Sequence, residues 1–465
     1  MTAVLTEEPT APQPRPQPRR GRWIDVWEPE DAEFWERGGR KIAWRNLGFS
    51  IFAEHVSFNV WLLMSVVVVN LSSVGFSFTV SQSFLLVIMP NLVGAALRIP
   101  YTFAAPRFGG RAWTTISASL LLIPCAMLLY AVTSGAPYWF FIVTAAAMGL
   151  GGATFSSSMS NISFFFPERK KGLALGLNAA GGNIGAAVAQ LAVPVVITIG
   201  TGIHLAYAAM LWMPLIVIAA ACAWVRMDSL TAAEPDGNSY RLALRNKHTW
   251  IVALLYVGAF GTFIGFSFAF PLLIGISFAE FEHYVGLAFL GALISALCRP
   301  LGGVFADRIG GARVTVLAFA GMAIGAVLAL VSVWENSFVL FFCSFIAMFV
   351  LTGIGNGAIY RMIPLIFSAQ AREHALRDGA DLDVALRSAK RQAGAVVGLT
   401  GAVGAFGGVL VNVVFKVSLD SGGSLTPALL AFLGFYVVCL VTTWWCYLRR
   451  SFAIERVPSL AYASV

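Results

Sequence analysis

Twelve apolar runs dominate the chain, each near the ~20 residues that a helix needs to cross a bilayer. They fall at 47–70, 78–105, 113–133, 138–166, 172–199, 206–226, 249–274, 284–305, 314–333, 338–367, 392–415 and 426–447. In lipid every backbone polar group must be satisfied internally, and a helix does this within one segment. Charged residues make up only 12% of the 465 and hydrophobic ones 58%, whereas soluble domains carry about 25% charged residues. A soluble enzyme, a nucleic-acid-binding protein and a disordered scaffold are thereby excluded. The expectation is an all-α membrane protein with twelve transmembrane helices and the lipid bilayer as its main partner.

The placement of charge predicts the topology. With both termini on the cytoplasmic side, all but four of the 31 Lys and Arg fall in cytoplasmic stretches, as the positive-inside rule requires. The net charge of +8 is then a sign of orientation in the inner (plasma) membrane, not of nucleic-acid binding. Residues 1–46 read as a cytoplasmic tail. Its first 22 residues are rich in Pro, Gln and Arg and are expected to be disordered. Residues 23–46 carry Trp23, Trp27, Phe34, Trp35 and Trp44 and are expected to form a short interfacial helix with its aromatic side in the membrane. The tail is followed by a six-helix lobe (47–226), a cytoplasmic linker (227–248), a second six-helix lobe (249–447) and a cytoplasmic C-terminal tail (448–465). The longest remaining connection is 368–391.

The division into lobes rests on an internal repeat. Arg98-IPYTFAAP-Arg107-FGG recurs 201 residues later as Arg299-PLGGVFAD-Arg308-IGG. A Gly-rich stretch in segment five, with Gly172, Gly176, Gly182 and Gly185, has a counterpart in segment eleven, with Gly394, Gly398, Gly401, Gly404 and Gly407. Segments two and five thus correspond to eight and eleven, a six-plus-six duplication with parallel halves and pseudo-symmetric lobes. Carriers built this way bind their substrate between the halves, near the midplane.

Arg98, Arg299 and Arg361 fall inside apolar segments. An intramembrane arginine is costly and does not lose its proton, so it needs a counter-charge, a carbonyl cage or a wet cavity. Among 23 Asp and Glu only Glu54 lies in a segment. Two matched cations and one anion leave a positive site, and Arg98 and Arg299 are the candidate anion ligands. Arg361 has no counterpart in the repeat and lies closer to its segment end, which reads as a structural or snorkelling role. Three readings of Glu54, next to His55, stay open: it neutralises Arg98, it carries protons, or it sits solvated at the cytoplasmic mouth. The glycines present bare backbone along one helix face, suited to close packing, to sliding, or, beside Asn178 and Asn183, to a small oxyanion. Single aromatic residues are weak signals in so aromatic a chain; Phe155, Tyr256 and Phe260 stand out by position, the last two four residues apart on one face. The six cysteines form no CxxC pair and no His lies at ligand spacing, so no disulfide framework, metal site or cofactor is expected.

The turn GGVFADRIGGAR at 302–313, with Asp307, Arg308 and Arg313, resembles the cytoplasmic loop signature of the major facilitator superfamily. Longer stretches are more specific: WEPEDAEFW (27–35), LRIPYTF (97–103), FSSSMSNISFFFPERKKGLALGLNAAGGNIG (155–185), YVGAFGTFIGFSFAF (256–270) and RPLGGVFADRIGGARVT (299–315). Together they resemble the nitrate/nitrite porters of that superfamily (NarK-type transporters). The resemblance implies the major facilitator fold and a carrier, not an enzyme, that moves nitrate and nitrite by alternating access and functions as a monomer. It implies that Arg98 and Arg299 grip the planar oxyanion, that Phe155 and Phe260 sandwich it with Tyr256 nearby, that Asn183 and Asn178 assist, and that the two Gly-rich signatures move. It favours nitrate/nitrite exchange. Glu54 and His55 depart from the exchanger pattern, and proton-coupled nitrate symport is the alternative, followed by carriage of another small monovalent anion.

Overall fold

The computed structural model describes residues 21–233, 237–450 and 460–461. Among these, twelve helices are long and apolar enough to cross a membrane: α1 (Ala32–Asn70), α2 (Val80–Phe108), α3 (Gly110–Ser134), α4 (Tyr138–Phe165), α5 (Glu168–Ile197), α6 (Ala206–Arg226), α7 (Lys247–Ser277), α8 (His283–Ile309), α9 (Gly311–Trp334), α10 (Phe338–Asp378), α11 (Leu382–Gly422) and α12 (Thr426–Tyr447). The apolar side chains that face outward, such as Leu317, Trp334, Val339 and Trp139, are those a bilayer would cover.

The repeat is visible in the backbone as well as in the sequence. Gly109 and Gly310, 201 residues apart, both take positive φ values (86° and 93°) at the tight turns joining α2 to α3 and α8 to α9. A Cβ is unfavourable in that conformation, which accounts for the paired glycines of the two basic turns. Gly135 and Asn336, again 201 apart, also share positive φ (67° and 48°) after α3 and α9.

Contacts between the halves occur at several levels. Arg98 on α2 reaches α11. Gln190 on α5 donates to the Ser267 carbonyl on α7 at 2.6 Å. The Trp61 and Phe268 rings meet at 5.5 Å between α1 and α7, and Ser81 on α2 bonds Asp420 on α11 at 3.2 Å.

One expectation needs correction. The segment before α1 is no interfacial helix with its aromatics in lipid. Helix α1 begins at Ala32, capped by Asp31, and passes through a π-helical kink at Trp35–Gly39 straight into the span. Trp27, Phe34 and Trp35 are buried against Phe165 and Phe166, and Trp27 Nε1 donates to the Phe164 carbonyl at 3.0 Å. An aromatic face fits a protein groove as well as a membrane surface, and here α4 supplies the groove. The connecting stretch 368–391 is mostly helix. Charged, helix-favouring residues extend α10 to Asp378, Gly379 ends it in the left-handed region (φ 65°), and Asp381 caps the start of α11 by accepting from the Asp383 and Val384 amides. The linker carries regular structure: Ser229–Leu230 (β2) pairs in parallel with Trp23–Ile24 (β1), and Gly237–Arg245 forms a helix. Residues 1–20 of the tail expected to be disordered lie outside the described residues. Arg22 is tied down, its Nε donating to Asp228 at 3.0 Å.

Candidate functional site

Arg98 projects from α2 into the centre of the bundle and has no exposed surface. Its Nε donates to the Gly152 carbonyl of α4 at 3.1 Å, and its Nη1 to the Gly401 carbonyl of α11 at 2.7 Å. These carbonyls are reachable because glycines bring bare backbone close to the guanidinium. Its Nη2 has no partner among the described residues. The guanidinium carbon lies 4.7 Å from the centre of the Phe155 ring, 5.2 Å from Phe260 and 5.5 Å from Trp61, a largely aromatic cage that favours a cation electrostatically.

Arg299, on α8 of the other half, is also buried. Its Nη2 donates to the Tyr256 hydroxyl at 3.3 Å, its guanidinium carbon lies 4.9 Å from the Tyr360 ring centre, and its Nη1 has no partner among the described residues. Among the described residues neither arginine forms an ion pair. Each keeps one buried guanidinium nitrogen unfilled, which is expensive for a permanent cation unless an anion or water completes it.

A column of four rings joins the two arginines. Phe155 and Phe260 are 6.2 Å apart at 31°, Phe260 and Tyr256 stack at 5.0 Å and 6°, and Tyr256 and Tyr360 stack at 4.7 Å and 14°. Tyr256 caps, and Phe260 lies within, a π-helical turn at Val257–Gly261 of α7. The extra residue of such a bulge re-aims the side chains beside it, which is why bulges collect at functional sites.

The structure therefore brings Arg98, Arg299, Phe155, Phe260 and Tyr256 together. The two asparagines stand differently. Asn178 donates to Glu54 Oε2 at 2.7 Å and to Ser158 Oγ at 2.6 Å. Asn183 is buried with its Oδ1 unpartnered. Among the described residues no hydrogen bond links either one to Arg98 or Arg299. Glu54 is 1% exposed, which rules out the solvated reading, and it forms no ion pair with Arg98 among the described residues. His55 Nδ1 meets the Gly181 carbonyl at 3.1 Å.

The glycines divide into two groups. Gly172, Gly176 and Gly394 face open space. The others are places where a side chain would collide or crowd: Gly182 against Glu54, Gly185 against the His55 carbonyl, Gly398 against the Tyr240 hydroxyl, Gly401 near Tyr360 and Phe155, Gly404 against the Tyr256 ring and Gly407 against Gly261. In the loop motif, Asp307 pairs with Arg361, Arg313 Nη1 reaches the Ile309 carbonyl at 3.4 Å, and Arg308 is exposed. Arg361 thus takes a structural place on the loop motif, well away from solitude in lipid. Sequence reasoning missed Tyr360 and Trp61. Tyr360 immediately precedes Arg361 in a Gly-rich run, and a polar aromatic there was the available signal.

A model of the Major Facilitator Superfamily matches residues 50–411. The nitrate/nitrite transporter NarU of Escherichia coli (strain K12) is 39% identical, over 92% of this chain and 96% of that protein. The probable nitrate/nitrite antiporter NarK2 of Thermus thermophilus is 34% identical, over 93% of this chain and 98% of that protein. Among solved structures, a D-xylose-proton symporter superposes with a TM-score of 0.64 at 12% identity, covering 87% of this chain and 97% of that one, a likeness of fold alone. With two matched halves, a buried arginine in each and these relatives, the chain belongs to the nitrate/nitrite porter family of the Major Facilitator Superfamily.

Proposed function

We propose that the chain carries nitrate and nitrite across the cell membrane, one anion at a time held between Arg98 and Arg299, and that it exchanges one for the other by alternating access. The observation that carries this reading is the pair of buried guanidinium groups, one from each half, each with an unfilled nitrogen and no carboxylate bound to it among the described residues. The names borne by relatives across nearly the whole chain supply the substrate class. Nitrate is small, planar and singly charged. A guanidinium offers it a flat set of donors, and the faces of Phe155 and Phe260 suit a flat ion. The basic loops are taken to face the cytoplasm, and one chain is taken as the transporting unit.

The mechanism follows from charge. Without an anion the two cations face each other across the boundary between halves, which opposes their approach. A bound anion screens that repulsion and lets the halves close over it from one side and then open to the other. Exchange results, because the switch favours the loaded site. The Gly-rich parts of α5 and α11 pack closely enough to shift without side chains catching. The test is radiolabelled nitrate uptake into proteoliposomes. Uptake that rises with nitrite loaded inside, and that external nitrite competes for better than formate or acetate, supports the reading. Equal competition by formate would point to a general carrier of small organic anions.

A further inference from the structure

Of the four rings in the column, Phe155 and Phe260 suit a flat ion and Tyr256 holds Arg299, while Tyr360 is left without a task. Tyr360 sits on α10, which glycines bring tightly against α8. A Cβ at Gly353 or Gly357 would strike the Ser295 or Arg299 carbonyl, and one at Gly302 would strike the Ile354 carbonyl. The next residue, Arg361, pairs with Asp307 of α8. Tyr360 and Arg299 therefore ride on one closely packed helix pair. The Arg299 guanidinium carbon lies 4.9 Å from the Tyr360 ring centre, and the ring stacks on Tyr256 at 4.7 Å. The hydroxyl reaches across to α11: a Cβ at Gly401 would lie 3.2 Å from it, and the Gly401 carbonyl is the one that Arg98 Nη1 holds at 2.7 Å. This hydroxyl acts electrostatically on both arginines, yet it is buried without a hydrogen-bond partner of good geometry among the described residues. Stacking needs only a phenyl ring, so packing accounts for the ring and not for the oxygen. The same lack of a partner marks Arg98 Nη2 and Arg299 Nη1. Buried polar groups left open around one column of rings call for something that completes them.

We propose that the Tyr360 hydroxyl is a third donor to the anion, one that nitrate uses and nitrite does not, so that Tyr360 sets the preference between the two. The inference rests on the reading of Arg98 and Arg299 as the anion site. Nitrate spreads its charge over three oxygens in a plane. One guanidinium from each half can serve two of them, and the third needs a donor of its own. Nitrite has two oxygens, and where nitrate carries the third it has only the lone pair of its nitrogen, a poorer acceptor. A phenolic hydroxyl is both donor and acceptor, and its hydrogen turns to suit its surroundings. In the empty site its lone pairs face the arginines; in the loaded site its hydrogen turns to the third oxygen. Because Tyr360 moves with Arg299 and its hydroxyl lies beside the α11 backbone that Arg98 holds, the third donor is in place when the halves close.

The test uses the full-length protein in nitrite-loaded proteoliposomes. Two quantities are read: the half-saturating concentration of radiolabelled nitrate, and the external nitrite concentration that halves the uptake of trace labelled nitrate. Wild type is expected to hold nitrate at least ~5-fold more tightly than nitrite, the scale of one hydrogen bond. Tyr360→Phe keeps the stacked ring and removes only the hydroxyl. It is expected to raise the nitrate value about fivefold, to leave the nitrite value within about twofold, and to change the maximal rate little. Tyr256→Phe acts through Arg299 and is expected to weaken both anions by a similar factor. Wild type that holds nitrite as tightly as nitrate overturns the proposal without recourse to any variant. Equal weakening of both anions in Tyr360→Phe overturns it, since that is the mark of a packing role, and so does a fall in maximal rate with both concentrations unchanged. A shift in the nitrate-to-nitrite ratio as large in Tyr256→Phe as in Tyr360→Phe overturns it as well. Undiminished counterflow in Arg98→Lys is a different result and would instead remove the underlying anion site.

Discussion

Arg98, in the first half of the chain, donates from Nη1 to the carbonyl oxygen of Gly401, in the second half, at 2.7 Å. The side chain assigned to the anion is therefore also a strut between the parts that have to move. Separation of the halves at this level must break that bond, and an anion that draws the guanidinium away from Gly401 makes the break easier.

The first prediction concerns that contact. A Cβ at Gly401 would lie 3.2 Å from the Tyr360 hydroxyl and 3.6 Å from the Phe155 ring, whereas one at Gly407 would lie 2.8 Å from the Gly261 backbone. Gly401→Ala should therefore slow exchange severalfold with little change in the thermal midpoint of the purified protein. Gly407→Ala should cost about 1–3 kcal/mol of stability, the usual range for overpacking, and lower the midpoint clearly. Gly172→Ala, which meets open space, should change neither. Thermal unfolding in detergent, read beside exchange rates, distinguishes the three.

Tyr256 orients Arg299 by accepting its Nη2 hydrogen bond at 3.3 Å and by stacking on Phe260. Tyr256→Phe keeps the ring and removes the acceptor. The loss of one such bond, about 1 kcal/mol, predicts a severalfold rise in the nitrate concentration for half-maximal exchange, with the maximal rate less affected. Phe260→Ala breaks the ring column and should weaken discrimination between planar nitrate and non-planar anions such as chlorate. Competition assays measure both effects.

How far could the site be read before the fold was known? The arginines were legible because lipid makes a lone cation so costly that two of them at a fixed offset of 201 residues demand a reason. The rings at Phe155, Phe260 and Tyr256 were found through resemblance, since 36 phenylalanines hide any particular one, whereas Tyr360 carried a local signal, a polar aromatic in a Gly-rich run, that was passed over. The partner of Glu54 was not legible: Asn178 is 124 residues away, and nothing local marks the pair. The Trp-rich segment before α1 misled because amphipathic aromatic patterning does not say whether lipid or protein covers the apolar side.

A third prediction concerns the clasp on the basic side. Asp228 is fully buried and accepts from Arg22, Arg45 and Asn46, the Asn46 bond measuring 2.9 Å, while its own amide donates to Asn46 at 2.8 Å. It ties the β1 strand, α1 and the linker into one unit. Asp228→Ala leaves several donors unmatched and should destabilise the protein by about 2–3 kcal/mol, the scale for losing charge-assisted bonds. Asp228→Asn should cost less. Protease sensitivity of the linker and the thermal midpoint report the loss, and the affinity for nitrate should not change.

The most direct test of the central claim is nitrate counterflow into nitrite-loaded proteoliposomes by Arg98→Lys and Arg299→Lys, each compared with wild type. Lysine keeps the charge but loses the planar set of donors. The account predicts that each variant alone loses at least ~100-fold in the ratio of maximal rate to half-saturating concentration, the equivalent of about 3 kcal/mol of binding to the anion in transit. Wild-type counterflow in either variant would contradict it.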